Sequence, residues 1–173
     1  MIRNLSLAAL LVIVAFSLQV QAGDKPIQIS LVNPIQIFPD TDSVTGVRLN
    51  LIYGKNADLT GIDVGIANHL TGSMGGIQWG LVGIVDGDFV GWQDNWINLT
   101  KGKFQGLQTG LYSSVEDGSG IQFGFINRAK YMNGLMIGFV NVADSMNGLQ
   151  IGLANVISSG GQFPFFPIVN WSF

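Results

Sequence analysis

The feature that most constrains the fold is a glycine that recurs at steps of fifteen and then fourteen residues. Each glycine opens a copy of one segment, in the order glycine, apolar, Gln, apolar, Gly, apolar, any residue, Asn, as in GLQIGLAN (148–155) and GIQFGFIN (120–127). A ninth copy, IQISLVN (27–33), has Pro26 at the glycine position. The chain is therefore predicted to be an array of short repeated units. The glycines are Gly46, Gly61, Gly76, Gly91, Gly106, Gly120, Gly134 and Gly148.

Within each copy the large apolar residues occupy alternate positions, which is the periodicity of a β-strand. Leu149, Ile151 and Leu153, for example, alternate with glycine and glutamine. Short runs of Gly, Asp, Asn, Lys and Ser separate the copies and indicate turns. We predict an all-β domain of about ten strands, with no helix after the N-terminal segment.

The first 22 residues have the organisation of a secretory signal peptide. Arg3 gives the positive start, residues 7–18 are apolar, and Val20-Gln21-Ala22 forms a small-residue cleavage site. The apolar run is shorter than the roughly 20 residues that a membrane-spanning helix needs, which favours cleavage over a retained anchor. We therefore expect residues 23–173 to form a single exported domain.

The composition excludes several classes of function. Cysteine is absent, so neither disulfides nor thiolate chemistry contributes. A formal charge of −3 argues against binding nucleic acid through its phosphates. Charged residues are 11% of the chain, against about 25% in typical soluble proteins. This shortage predicts that much of the outer surface does not face water.

Two architectures use such an array. In a closed antiparallel up-and-down barrel, the large apolar residues face lipid while Gly and Gln line the lumen. In a β-solenoid with one 14–15-residue repeat per coil, equivalent residues stack in parallel. For the solenoid we expect the apolar residues to point into a dry interior.

Two features favour the barrel. The last residues, 168–173, resemble the C-terminal strand signal of bacterial outer-membrane β-barrels, in which assembly machinery reads the terminal aromatic residue, here Phe173. The connections near 55–58, 86–88, 116–118 and 144–145 carry acidic residues, whereas the alternate ones do not. Hairpins produce such a two-unit rhythm because successive turns lie at opposite ends of the strands. The barrel is therefore the first expectation.

Other features favour the solenoid. The repeat contains one strand rather than two, as head-to-tail coils require. Arg48 and Asp63 occupy the same repeat position in adjacent copies, so they would pair if the coils stack in register. Stacking would also form an amide ladder from Gln78, Gln93, Gln108 and Gln122.

The chain as a whole resembles Gly-rich bacterial surface-repeat proteins, whose copies read like GLQIGLxN and whose tails read like FPFFPIVNWSF. This resemblance implies an envelope or surface location and brings no catalytic residues. The spacing of Gln122, Gly124, Asn127 and Ala129 also resembles curli-type amyloid repeats, although those units are longer and more polar.

Candidate chemical residues are few. His69 is the single histidine, which excludes a metal cluster built on imidazoles, and it is predicted to lie at a strand end. Asp94 lies between Trp92 and Trp96 with the parity of the apolar side, where a charge is costly against lipid. Three acidic pairs lack the twelve-residue spacing of a calcium loop and are predicted to be solvated turn residues. These pairs are Asp40 and Asp42, Asp86 and Asp88, and Glu116 and Asp117.

We therefore predict no catalytic, cofactor-binding or metal-binding residue, and no cofactor. The expected function is that of a non-enzymatic outer-membrane or cell-surface protein of a Gram-negative bacterium, with a structural or interaction role in the envelope. Its expected partners are outer-membrane lipid and the assembly machinery, and not nucleic acid. The alternative is a secreted or surface-attached β-solenoid that acts as a binding or self-associating module.

Overall fold

The computed structural model describes residues 25–173, so the predicted signal peptide lies outside the described residues. The strands form one sheet in the order β2-β1-β3-β4-β5-β6-β7. Within residues 25–173, no helix is long and apolar enough to cross a membrane. The strands are β1 (Ile27–Val32), β2 (Ile35–Gln36), β3 (Val44–Asn56), β4 (Leu59–Leu70), β5 (Met74–Val85), β6 (Phe89–Ser159) and β7 (Phe165–Ser172).

Successive copies of the repeat lie parallel and in register. Gly61 of β4 pairs with Gly46 of β3 on one side and with Gly76 of β5 on the other. β6 is 71 residues long and runs through several further coils without interruption, and its Gly106 stacks on Gly91 in the same way. The chain is thus a β-solenoid with one repeat per coil.

The all-β prediction and the solenoid alternative are confirmed. The antiparallel barrel is wrong, because neighbouring repeats run in the same direction. The structure has seven strands rather than about ten, since β6 continues across the connections that were expected to end separate strands.

Glycine is required where adjacent coils come closest. At all eight repeat glycines φ lies between 128 and 148°, a conformation that residues with a side chain rarely adopt. A Cβ at Gly76 would also lie 2.0 Å from the carbonyl oxygen of Gly61. In the first described coil, Pro26 stands where the later coils have the repeat glycine. Its carbonyl oxygen would lie 2.1 Å from a Cβ at Gly46.

The interior of the coils is polar along the repeat segment, so the expected apolar interior is wrong. Gln93 and Asn98 are fully buried, whereas Trp79 and Leu153 are 58% and 67% exposed. Buried apolar side chains form two further columns beside the connections. One column contains Val44, Leu59, Met74, Phe89, Phe104, Met132 and Met146, and the other contains Leu70, Val85, Val115, Ala129, Ala143 and Ile157.

The predicted amide ladder is confirmed, and it has a direction. Gln122 Nε2 donates to Gln108 Oε1 at 2.8 Å, and Gln108 Nε2 donates to Gln93 Oε1 at 2.7 Å. Gln93 Nε2 donates in turn to Gln78 Oε1 at 2.9 Å. Because each glutamine donates toward the N-terminal end, the ladder must end there on an acceptor. The side chain of Asp63 is that acceptor, 2.9 Å from Gln78 Nε2.

The predicted pair of Arg48 and Asp63 is also confirmed and is fully buried. Arg48 Nε lies 2.8 Å from Asp63 Oδ1, and Arg48 Nη2 lies 2.7 Å from Asp63 Oδ2. Arg48 Nη1 donates to Asn56 and to the carbonyl oxygen of His69. The guanidinium neutralises the carboxylate that ends the ladder, which a buried charge requires.

The acidic rhythm of the connections has a different origin from the expected hairpins. Lys101 pairs with Asp86 of the preceding connection at 2.7 Å, and Lys130 pairs with Glu116 at 2.8 Å. Two of the connections without an acid thus carry a lysine that pairs with the acidic connection stacked before them. This arrangement requires parallel coils.

A strand that runs in the opposite direction borders each end of the stack, although the one at the N-terminal end has only two residues. β2 pairs with β1 antiparallel, although β1 itself is parallel to β3. At the other end β7 pairs antiparallel with the last coil of β6, with Val169 opposite Ile151.

We expect Gly76→Ala to destabilise the fold by about 3 kcal/mol or more, because it combines an unfavourable φ with a clash against the neighbouring coil. Gly75→Ala is the matched control, since a Cβ there meets nothing within 4 Å. Urea unfolding followed by circular dichroism measures both. Equal stability of the two variants would contradict the close-contact role of the repeat glycine.

Asp63→Gln should cost about 3–5 kcal/mol, because it leaves the buried Arg48 without a carboxylate. The double variant Arg48→Gln with Asp63→Gln should recover most of this loss, because it removes the charge and extends the amide ladder by two residues. The same unfolding measurement applies. A double variant as unstable as the single one would show that the ladder cannot replace the ion pair.

Candidate interaction surface

The outward side chains of the repeat form a continuous surface that we call the apolar face. It consists of the second, fourth and sixth residues of each repeat, and all of them are apolar except Asp94 and Thr109. β1 extends it at one end, where Ile27, Ile29 and Leu31 are 40–56% exposed. The apolar members are Val47, Leu49, Leu51, Ile62, Val64, Ile66, Ile77, Trp79, Leu81, Trp92, Trp96, Leu107, Leu111, Ile121, Phe123, Phe125, Leu135, Ile137, Phe139, Leu149, Ile151 and Leu153.

The dimensions of the apolar face follow from strand geometry. Stacked strands lie about 4.8 Å apart and residues along a strand about 3.3 Å apart, so the face is roughly 40 Å long and 13 Å wide before side chains are added. Its area is at least several hundred Å², comparable to or above the largest apolar patch on a typical soluble monomer. The apolar face is therefore the candidate interaction surface of the described residues.

A groove runs along the apolar face between its fourth-position and sixth-position columns. We call it the glycine groove, because glycines such as Gly65, Gly80 and Gly110 line its bottom. One stretch has a volume of about 550 Å³ and includes Trp79 and Trp96 in its walls. A second stretch of about 440 Å³ is lined by Gly124, Gly138 and Gly152 and the apolar residues beside them.

Asp94 is the one charged side chain of the apolar face and lines the first stretch of the groove. It is half-buried, and its Oδ1 accepts a hydrogen bond from Thr109 Oγ1 at 2.5 Å. Trp92 Nε1 donates to the same Thr109 oxygen at 3.1 Å. The sequence pattern identified Asp94 as an anomaly, but it did not predict the groove, which depends on how glycines stack between two outward columns.

His69 lies beside the connections rather than on the apolar face. Its Nδ1 is 2.9 Å from Tyr53 Oη, and its Nε2 is 3.0 Å from Asp86 Oδ2. Asp86 also pairs with Lys101. Tyr53, His69, Asp86 and Lys101 thus form one network across four successive coils. His69 lies one residue before the end of β4, close to the strand end predicted for it.

Five of the six residues of the acidic pairs contact a cation or a backbone amide. Asp40 pairs with Lys55 at 3.3 Å, and Asp42 pairs with Lys25. Asp88 Oδ1 accepts from the backbone N–H of Lys103 at 2.7 Å. In the described part of the chain, no group of three or more His, Cys, Asp or Glu side chains is arranged to hold a metal ion.

Burial raises the pKa of the Asp86 carboxyl, but hydrogen bonds and charges from Lys101 and His69 outweigh it and leave the pKa below its ordinary value of 3.8. A carboxyl whose pKa is lower in the folded chain than in the unfolded chain stabilises the fold at pH values above the unfolded-state pKa. This stabilisation is lost as the pH falls through the folded-state pKa. We therefore expect the wild type to lose stability on acidification, by less than about 1 kcal/mol from this residue because it is partly exposed.

Asp86→Asn should reduce this acid-side loss. Urea midpoints measured between about pH 6 and about pH 3 test it, with Asp117→Asn, at an exposed acid of β6, as control. An acid slope that Asp86→Asn leaves unchanged would assign the loss to other carboxylates.

Comparison of this chain with protein-family models, with curated proteins and with solved structures finds no match. The candidate surface is therefore defined by its own geometry: an apolar face, a glycine groove and one carboxylate.

Proposed function

We propose that this protein is an exported, non-enzymatic component of the bacterial envelope that attaches to a lipid surface through its apolar face. The observation that carries the proposal is the apolar face itself, which leaves large side chains such as Leu111 and Leu153 at 56% and 67% exposed. Burial of apolar area is the main driving force for such an attachment. The signal peptide and the envelope location predicted from the sequence accord with it.

The backbone behind the apolar face is compatible with contact to hydrocarbon. Adjacent coils pair continuously through the repeat segment, for example from Gly61 to Gly65 of β4 against β5. The backbone N–H and C=O groups of these strands are thus directed at neighbouring coils. Lipid cannot supply hydrogen bonds to unpaired backbone groups, so this pairing is a condition for contact.

The distribution of charge gives the solenoid two unlike sides. The ion pairs of Lys101 with Asp86 and of Lys130 with Glu116 lie in the connections, whereas the apolar face carries one carboxylate. A body that is apolar on one side and charged on another lies in the plane of a membrane surface with its apolar side buried. We propose this interfacial orientation rather than a spanning one.

The second candidate function is self-association, which the size of the apolar face favours. Stable protein interfaces bury about 800 Å² on each partner, and the apolar face with its side chains approaches this area. Two such faces would pack about 10 Å apart, as sheets do.

Flotation with phospholipid vesicles tests lipid attachment. The double variant Leu111→Glu with Leu153→Glu should lose most vesicle binding, because it places two charges on the apolar face. Val90→Glu is the matched control, since Val90 is 54% exposed but lies outside the apolar face. The control should float like the wild type.

Sedimentation equilibrium without lipid separates the two functions. A wild type that floats with vesicles supports lipid attachment. A wild type that does not float but forms a dimer, and loses it in the double variant, supports self-association. A monomer that does neither would refute both uses of the apolar face.

A further inference from the structure

The carboxylate of Asp94 has a setting that differs from that of every other acid discussed above. It belongs to the apolar face and lines the glycine groove, and among residues 25–173 it forms no ion pair. Asp63 and Asp86, in contrast, are paired with Arg48 and Lys101. A half-buried carboxylate on an apolar surface is costly unless a positive charge joins it.

Aromatic side chains surround this carboxylate. Trp79 is its direct neighbour on the adjacent strand, and Trp92 and Trp96 flank it in its own coil. All three are 44–61% exposed, so their ring surfaces are available to a ligand. Indole is the side chain that attracts a cation most strongly through its ring face.

The hydrogen bonds around Asp94 hold the carboxylate in place. Trp92 donates to Thr109, and Thr109 donates to Asp94 Oδ1. These contacts use one oxygen. The other carboxylate oxygen of Asp94 takes no part in these two hydrogen bonds, and the Asp94 side chain lies in the wall of the groove, whose volume here is about 550 Å³.

The bottom of the same groove brings no charge of its own. Asn50 and Asn95 border it, but their buried side chains lie inside the coils, where Asn95 Nδ2 donates to Gln78 Oε1 at 3.2 Å. The carboxylate of Asp94 and the indole rings beside it therefore decide the sign of the ligand charge.

The apolar walls decide which kind of cation fits. One carboxylate is too few ligands for calcium, which takes six to eight oxygens. A small inorganic ion would also gain little from Leu81 and Trp96, which line the groove. An alkylated ammonium group combines a positive charge with apolar substituents, as aromatic sites for quaternary ammonium ligands require.

We propose that Asp94, Trp79 and Trp96 form a binding site for an alkylated ammonium group in the glycine groove. The ligand's charge lies against the Asp94 carboxylate and the indole rings, and its substituents contact the groove walls. This inference goes beyond lipid attachment, because a soluble ligand suffices to occupy the site. The same group is also present in the headgroup of choline lipids.

Titration of the soluble protein with choline, followed by tryptophan fluorescence and calorimetry, tests the site. Asp94→Asn keeps an acceptor for Thr109 and should weaken choline binding about tenfold or more. Asp117→Asn, which removes an exposed acid of β6, should bind choline like the wild type. Trp96→Leu should weaken binding between about twofold and thirtyfold. Circular dichroism of each variant shows that the fold is kept.

The neutral isostere 3,3-dimethylbutan-1-ol separates charge recognition from apolar contact. Weak binding of this alcohol, with no effect of Asp94→Asn on it, supports the ammonium site. Equal binding of choline and the alcohol, or equal choline binding by wild type and Asp94→Asn, would overturn the proposal.

Vesicles distinguish a free ligand from a lipid headgroup. Binding that prefers phosphatidylcholine over phosphatidylglycerol vesicles, and loses this preference in Asp94→Asn, assigns the site to the headgroup. Choline binding in solution without such a preference assigns it to a free cation. No Asp94-dependent binding in either setting would refute the site, even if the apolar face attaches to vesicles.

Discussion

The directional amide ladder inside the coils is the interaction on which the rest of the structure depends. From Gln78 to Gln122 each glutamine donates to the preceding coil, so these coils fix the register of one another. Because a primary amide has both a donor and an acceptor, the pattern continues until a residue breaks it. Asp63 ends it at one side with acceptors alone, and Arg48 compensates the charge. At the other side Met136 follows Gln122, whose Oε1 is buried without a partner. The ladder thus has a strong start and a weak end.

The apolar face is a consequence of this interior. The inward positions of the repeat segment are held by the hydrogen-bonded amides, by the Arg48–Asp63 pair and by glycines. Amides and glycines fill the inside of the repeat segment, and strand alternation then directs the large residues outward. The features proposed to bind lipid and an ammonium ligand are therefore built into the repeat, while Asp94 and the tryptophans distinguish one part of it.

The sequence predicted the period, the strand content, the amide ladder and the Arg48–Asp63 pair, because these depend on residue type at fixed spacing. It did not predict which way the strand faces. The alternation of Leu149 and Gln150 is the same whether the leucine points into the coils or out of them. Because apolar residues are usually buried, we expected them inside a solenoid, and that expectation was wrong. The acidic rhythm was also read as hairpins, since the partners Lys101 and Lys130 become meaningful only once coils are stacked in parallel. The glycine groove needed the three-dimensional stacking of Gly65, Gly80 and Gly110.

The reversed strands at the two ends have a consequence for growth. A stack of parallel coils with open ends extends by adding further copies in the same direction, as amyloid does. Here β7 presents an edge whose direction is opposite to that of the coil beneath it, and the two-residue β2 does the same over part of β1. A second molecule cannot continue the parallel register along the β7 edge. Growth by parallel stacking is therefore blocked at that end of the solenoid.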